Sequence, residues 1–166
     1  IRSNASSQID WIFGASSAGG TAAVLNVWNA YNKVNTSTQV LDSSTEWAYT
    51  TTSYRSANNS TGIRVSFLVG LSEMSLTSSH ICFSQSSSTA VRTYAGIGLD
   101  STSSVSGIAG QNLTGSSFAG NGSTPVATYS NFAPLGFHFI QALEQGAAGA
   151  TFGGTGSQGL TFAMMM

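Results

Sequence analysis

A chain of 166 residues and 17.0 kDa is long enough for one domain with its own core, yet only 7% of it is charged, where about a quarter is usual in soluble domains. Lys+Arg 5 against Asp+Glu 6 leaves a net charge of −1, which excludes a basic footprint for nucleic acid, and 41% hydrophobic content with nine Phe, five Tyr and three Trp excludes disorder. No apolar run approaches the roughly 18 residues of a membrane helix, and the single cysteine, Cys82, excludes an internal disulfide and a cysteine-cluster metal site.

The opening IRSNASSQID has neither an initiator Met nor the apolar core of a signal peptide, and is read as the start of a trimmed or partial chain. IDWIF at 9–13 is a short apolar strand, and GASSAGG at 14–20 is a flexible linker. Residues 1–20 are therefore expected to form an N-terminal strand or arm with its linker, and 21–166 the main domain. In TAAVLNVWNAYNKV at 21–34, Val24, Leu25, Trp28 and Tyr31 fit a helical stripe, while Leu25, Val27 and Tyr31 fit a strand face. The repeated Asn26, Asn29 and Asn32 and the missing N-terminal carboxylate favour strand. WAYTTTSY at 47–54 is read as a strand running into an exposed turn, SANNSTG at 56–62.

Ile63, Val65, Phe67, Val69 and Leu71 alternate with Arg64, Ser66, Leu68 and Gly70, which is period two over nine residues and hence a strand. HICFSQ at 80–85 repeats the pattern. In AVRTYAGIGLD, Val91, Thr93, Ala95, Ile97 and Leu99 share a face, and Gly96 and Gly98 on the other face mark a close approach or a bend. Residues 101–123 read as a long loop with one short strand. VATYSNF at 126–132 is a strand stopped by Pro134, and GFHFIQALEQG at 136–146 is another. There Phe137, Phe139, Gln141 and Leu143 oppose His138, Ile140, Ala142 and Glu144. AAGATFGGTGSQG holds a hairpin, and Leu160, Phe162, Met164 and Met166 alternate in a final strand that should be paired inside a sheet.

Ser, Thr and Gly make up about 40% of the chain, a strand-and-turn composition. Eight or so short strands with no βαβ rhythm and no repeat predict an all-β, antiparallel, jelly-roll-like sandwich. With so little charge to guard its surfaces and edges, the sandwich is expected to be covered by other subunits.

The residues assemble no catalytic or metal site. His138 and Glu144 share a face but stand roughly 20 Å apart along an extended strand, too far to pair. His80 and His138 are read as structural or interface residues. Asp10, Asp42, Glu46, Glu73, Asp100 and Glu144 are scattered, whereas a glycosidase needs two carboxyls facing across a cleft. Asp42 and Glu46 are close enough for one calcium loop but lack a D-x-D-x-D pattern and read as a solvated loop. GIG at 96–98 and GGTGSQG at 153–159 have no P-loop lysine and read as turns. Cys82, between Ile81 and Phe83, reads as a small core residue, and the N-x-S/T triplets at Asn4, Asn35, Asn58, Asn59, Asn112 and Asn121 follow from composition.

Three runs carry a resemblance: W-N-x-Y-N-[KR]-V at Trp28–Val34, W-x-Y-T-x(4)-[YW]-R-x-A-N-N at Trp47–Asn59, and G-x-H-x-x-Q-x-L-E at Gly136–Glu144. With the stretches 1–34, 44–73, 95–104 and 135–154 around them, the chain resembles a group of tailed-bacteriophage virion structural proteins. It departs from them at Glu73–Met74 and in the Met164–Met166 ending. The resemblance implies a non-enzymatic, β-rich module on the virion surface, a capsid decoration, head fibre or tail fibre. It also implies a homotrimer contacting other virion proteins and, in a receptor-binding role, host surface glycans. No cofactor, nucleic acid or membrane insertion is implied. The rival readings are a polysaccharide-cleaving depolymerase using two of the carboxylates, and a secreted carbohydrate-binding module with an exposed planar row of Trp47, Tyr49 and Tyr54.

Overall fold

The computed structural model describes residues 2–3, 9–13, 23–26, 33–70, 72–73, 75–88, 90–113, 122–153 and 158–165. Three short strands come first, β1 (Arg2–Ser3), β2 (Ile9–Phe13) and β3 (Ala23–Asn26), paired antiparallel in the order β1-β2-β3. The IDWIF strand is there, and the strand reading of 21–34 is borne out over Ala23–Asn26, while 21–22 and 27–32 lie outside the described residues. The expected linker at 14–20 and most of the W-N-x-Y-N-[KR]-V run lie outside the described residues.

The other twelve strands are antiparallel and stack in two layers. One holds β4 (Asn35–Leu41), β5 (Glu46–Ala48), β8 (Ser75–Ile81), β9 (Phe83–Ser86), β12 (Val126–Phe132), β14 (Ala150–Gly153) and β15 (Gly159–Met165). Its strands run in the order β12-β8-β15-β4 and continue as β9-β14-β5. Three chain passages, β8–β9, β14–β15 and β4–β5, go through both parts, with a crease at Cys82 where Ile81 faces Gly159 and Phe83 faces Gly153. The second layer holds β6 (Tyr54–Ser56), β7 (Arg64–Val69), β10 (Arg92–Leu99), β11 (Gly110–Leu113) and β13 (Gly136–Gln145), ordered β11-β10-β13-β6 with β7 also on β13.

Alternation decides which side chains meet between the layers. Val65, Phe67 and Val69 of β7 and Ile140 and Ala142 of β13 point inward, against Leu76 of β8 and Leu160, Phe162 and Met164 of β15. Phe67 meets Phe162 across the layers with ring centroids 4.9 Å apart. Each of the larger of these side chains, once buried, contributes about 1.5–3 kcal/mol. The final strand is paired on both edges, as a buried Leu160–Phe162–Met164 stripe requires.

Four expectations are corrected. WAYTTTSY is two strands: β5 ends at Ala48 and β6 starts at Tyr54, because the chain changes layers between them. The strand expected at 80–85 begins at Ser75 and breaks at the crease. The turn at 56–62 is not simply exposed: Ser56 and Ala57 are buried in a 3-10 turn over Ala57–Asn59, in which Asn58 and Asn59 adopt positive φ. In the loop read as solvated, Ser43, Thr45 and Glu46 are exposed, but the Asp42 side chain is buried. Gly96 and Gly98 behave as expected: a Cβ on Gly96 would lie 2.9 Å from Val105 Cγ2, and one on Gly98 would run into the Ser101 carbonyl.

Candidate functional site

Two of the runs that carry the resemblance meet in one polar cluster between the layers. Strand alternation puts Glu144 on the inner face of β13, directly opposite Arg55 of β6. Glu144 is 0% exposed, and donors surround it. Arg55 Nε donates to Oε1 at 2.8 Å and Arg55 Nη2 reaches the same oxygen at 2.7 Å, while Trp47 Nε1 of β5 donates to Oε2 at 2.8 Å. The backbone N–H of Asn58 donates as well. Burial raises the Glu144 carboxyl above the usual glutamate range, and the bonds from Trp47, Arg55 and Asn58 oppose that rise.

Around this carboxylate the neighbours are also fixed. The Arg55 guanidinium lies over the Tyr49 ring, 3.7 Å from its centroid, and Trp47 stacks on Phe152 at 6.4 Å and 15°. Asn58 Nδ2 donates to Asp42 Oδ2 at 3.0 Å and to Ser44 Oγ at 2.8 Å, and Ser44 N donates to Asp42 Oδ1 at 2.7 Å. Burial works to raise Asp42, but the bonds from Ser44 and Asn58 outweigh it and hold the carboxyl below its ordinary value. Next along β13, the buried Gln141 donates to the carbonyls of Ser60, Ile63 and Ala142 and accepts from Arg64 Nε at 2.9 Å, which fastens the 57–63 loop to the sheet. Every member of the cluster thus has its partners inside the protein, and the geometry makes it a clamp between the layers.

The histidines stand apart from it. His80 is fully buried on β8, where its Nδ1 donates to the Gly96 carbonyl at 3.1 Å. Its Nε2 accepts from Gln158 Nε2 at 3.3 Å, and Gln158 Oε1 accepts from the Cys82 thiol at 3.4 Å. This chain of bonds requires the neutral ring, and burial pushes its pKa down to about 4 against the pull of the Gly96 and Leu143 carbonyls. Burial likewise raises the Cys82 thiol well above its ordinary value, so this cysteine is an inert core residue. His138 meets an acceptor at each ring nitrogen, Asp100 Oδ2 at 2.6 Å and the Leu135 carbonyl at 3.1 Å. The Asp100 bond, then the Leu135 bond, raises its pKa, and a ring donating from both nitrogens has no lone pair for general-base work.

His138 and Glu144 do not pair, as their spacing predicts. Of the carboxyls, Asp42 and Glu144 are inside the clamp, while Glu46, Glu73 and Asp100 are exposed. Glu73 pairs with Lys33 at 3.3 Å, and Glu46 accepts from Gln85 at 3.4 Å. Asp10 is placed only as a strand residue of β2. Among the described residues, no group of three or more His, Cys, Asp or Glu could hold a metal ion, and no helix is long and apolar enough to cross a membrane. Trp47, Tyr49 and Tyr54 make no common row: Trp47 packs under Glu144, Tyr49 under Arg55, and Tyr54 edge-on to Tyr94 at 6.4 Å.

Two surface features remain. At the β12–β13 turn, Phe132, Leu135 and Phe137 are 63%, 65% and 70% exposed, and the half-exposed Leu68 faces Phe137 across the strands. On the outer face of β4, β15, β8 and β12 the register builds a grid. Gln39, Thr161, Ser79 and Thr128 make one row; Ser37, Ala163, Thr77 and Ser130 make the next. Leu41, Ile81 and Val126 border it on the crease side, and Met165 and Phe132 on the other. The two middle rows line an open trough of about 610 Å³, and none of the grid residues is ionisable. Sequence reasoning missed both the clamp and the trough. The visible signal for the clamp was two of the five basic residues, Arg55 and Arg64, lying close to aromatics in a chain that has few charges. The chain matches no family model and no curated protein, so its functional reading rests on this geometry and on its own sequence.

Proposed function

We propose that the chain is a non-enzymatic structural module of the tailed-phage virion surface, a jelly roll that works as a homotrimer on a capsid or tail. The observation that carries the assembly is the apolar cluster at the β12–β13 turn. Leu135 and Phe137 are exposed there and the half-exposed Leu68 faces Phe137 across the strands, whereas Phe132 belongs to the outer face of the other layer. Exposed apolar patches of this kind mark interaction surfaces, and subunit contacts are built around such apolar centres.

The wiring supports the jelly-roll reading. With β4–β5 counted as the first passage, β6–β7 the second, β8–β9 the third, and then β10, β11, β12, β13 and β14–β15, the layers read 1-8-3-6 and 2-7-4-5. That order is a double Greek key of eight strands, an architecture used in viral capsid domains. Placement on a virion rests on the sequence resemblance, two of whose motifs supply the clamp that joins the layers. The test is native mass spectrometry of Leu135→Asp/Phe137→Asp beside the unaltered chain. Both positions are exposed, so the variant keeps its β-sheet circular dichroism. A shift from three copies to one supports the reading, and an unchanged mass overturns the β12–β13 turn as the interface.

A further inference from the structure

The trough on β4, β15, β8 and β12 differs from a subunit interface in an informative way. Protein–protein contacts put apolar groups at the centre and polar groups at the rim. Here the arrangement is inverted. Hydroxyl-bearing Thr161, Ser79, Thr128, Thr77 and Ser130 occupy the centre, and Leu41, Ile81, Val126 and Phe132 the borders. The centre offers donors and acceptors in a lattice set by the sheet, about 4.8 Å between strands and about 7 Å between rows on one face. Two of its hydroxyls are already ordered by each other, Ser79 Oγ and Thr161 Oγ1 at 2.8 Å, and the latter also reaches the Ser79 carbonyl at 3.3 Å.

The occupant must be neutral, since the grid contains no charge to recognise a phosphate, carboxylate or ammonium group. It must carry many hydroxyls at short regular spacing, and it must fit about 610 Å³, which is within the size range of small-ligand sites. We propose that this trough binds a neutral oligosaccharide, with Thr161 and Ser79 as its central hydrogen-bonding pair and Phe132 offering an apolar wall for a sugar face at one end. The site deepens the virion-surface reading and rests on it for the source of the glycan, a host cell surface. The binding chemistry needs only one chain.

The test is an NMR titration of the full chain with three neutral probes, maltotriose, cellotriose and N-acetylchitotriose, each at millimolar concentration. The expected result is saturable shifts for at least one probe, confined to Gln39, Thr77, Ser79, Thr128, Ser130 and Thr161. Thr161→Val keeps the shape of an exposed side chain and removes its hydroxyl, and is expected to weaken that binding about tenfold. Absence of shifts with all three probes, or shifts elsewhere that Thr161→Val does not weaken, overturns the site. Mass measured on the same sample separates the two readings: a trimer without sugar binding removes the trough alone, and a sugar-binding monomer removes the assembly alone.

Discussion

Glu144 shows how a single side chain can be decisive in a chain with so few charges. A buried carboxylate is costly unless paired, and Arg55 with Trp47 supplies three donor contacts within 2.8 Å. Glu144→Gln leaves the guanidinium uncompensated and is expected to cost about 3 kcal/mol in urea unfolding. Trp47→Phe removes one donor to a surviving anion and should cost about 1–3 kcal/mol, and less than its single-variant cost when Glu144→Gln is already present. Additive costs in the double variant would contradict a shared clamp. The histidines shift in opposite directions. His80, at about 4 in the fold against 6.5, binds fewer protons than the unfolded chain between those values, so stability falls as pH drops through that window, by of order 3 kcal/mol. His138 is raised, so the stability it contributes is present below 6.5 and is lost as pH rises through its folded value. NMR titration should show His80 neutral down to about 4 and His138 titrating above 6.5; a normal value at His80 would contradict its buried bond chain.

At the scale of elements, alternation is what made the fold legible. The faces of β7, β10 and β15 are those that the apolar spacing predicts, because a period of two in side chains is a direct image of a half-buried strand, whereas β13 turns its Phe137 outward and its Ile140, Ala142 and Glu144 inward. The elements whose bounds differ from those expected are where the chain changes layer, between Ala48 and Tyr54, or creases within one, at Cys82. Nothing in WAYTTTSY says that Trp47 and Tyr54 belong to different sheets, since that follows from partners far along the chain, Glu144 and Tyr94. The clamp was invisible for the same reason: Arg55 and Glu144 are 89 residues apart, and only the register of β6 on β13 joins them. Glycine spacing was informative where backbones close in. Gly98→Ala drives its methyl into the Ser101 carbonyl and is expected to cost about 2 kcal/mol or more, whereas Gly96→Ala meets side-chain ends, Val105 and Tyr54, that can shift. Equal losses for the two variants in urea unfolding would contradict this placement.

For the molecule as a whole, much of the sparse charge among the described residues lies inside or in pairs, while Glu46, Glu73, Arg92 and Asp100 are exposed. Asp42 and Glu144 are buried, Arg55 is bound to Glu144, Arg64 lies over Phe139 at 3.9 Å, and Asp100 holds His138. What faces outward from β4, β15, β8 and β12 is an uncharged grid, and what projects at the β12–β13 turn is apolar. Such a surface promotes association, and in the proposed trimer the turn is covered while the trough remains open. The most direct test is the solution mass of the unaltered chain by light scattering through a dilution series into the micromolar range. The account predicts three times 17.0 kDa, held on dilution, and a folded, stable species at 17.0 kDa would contradict it.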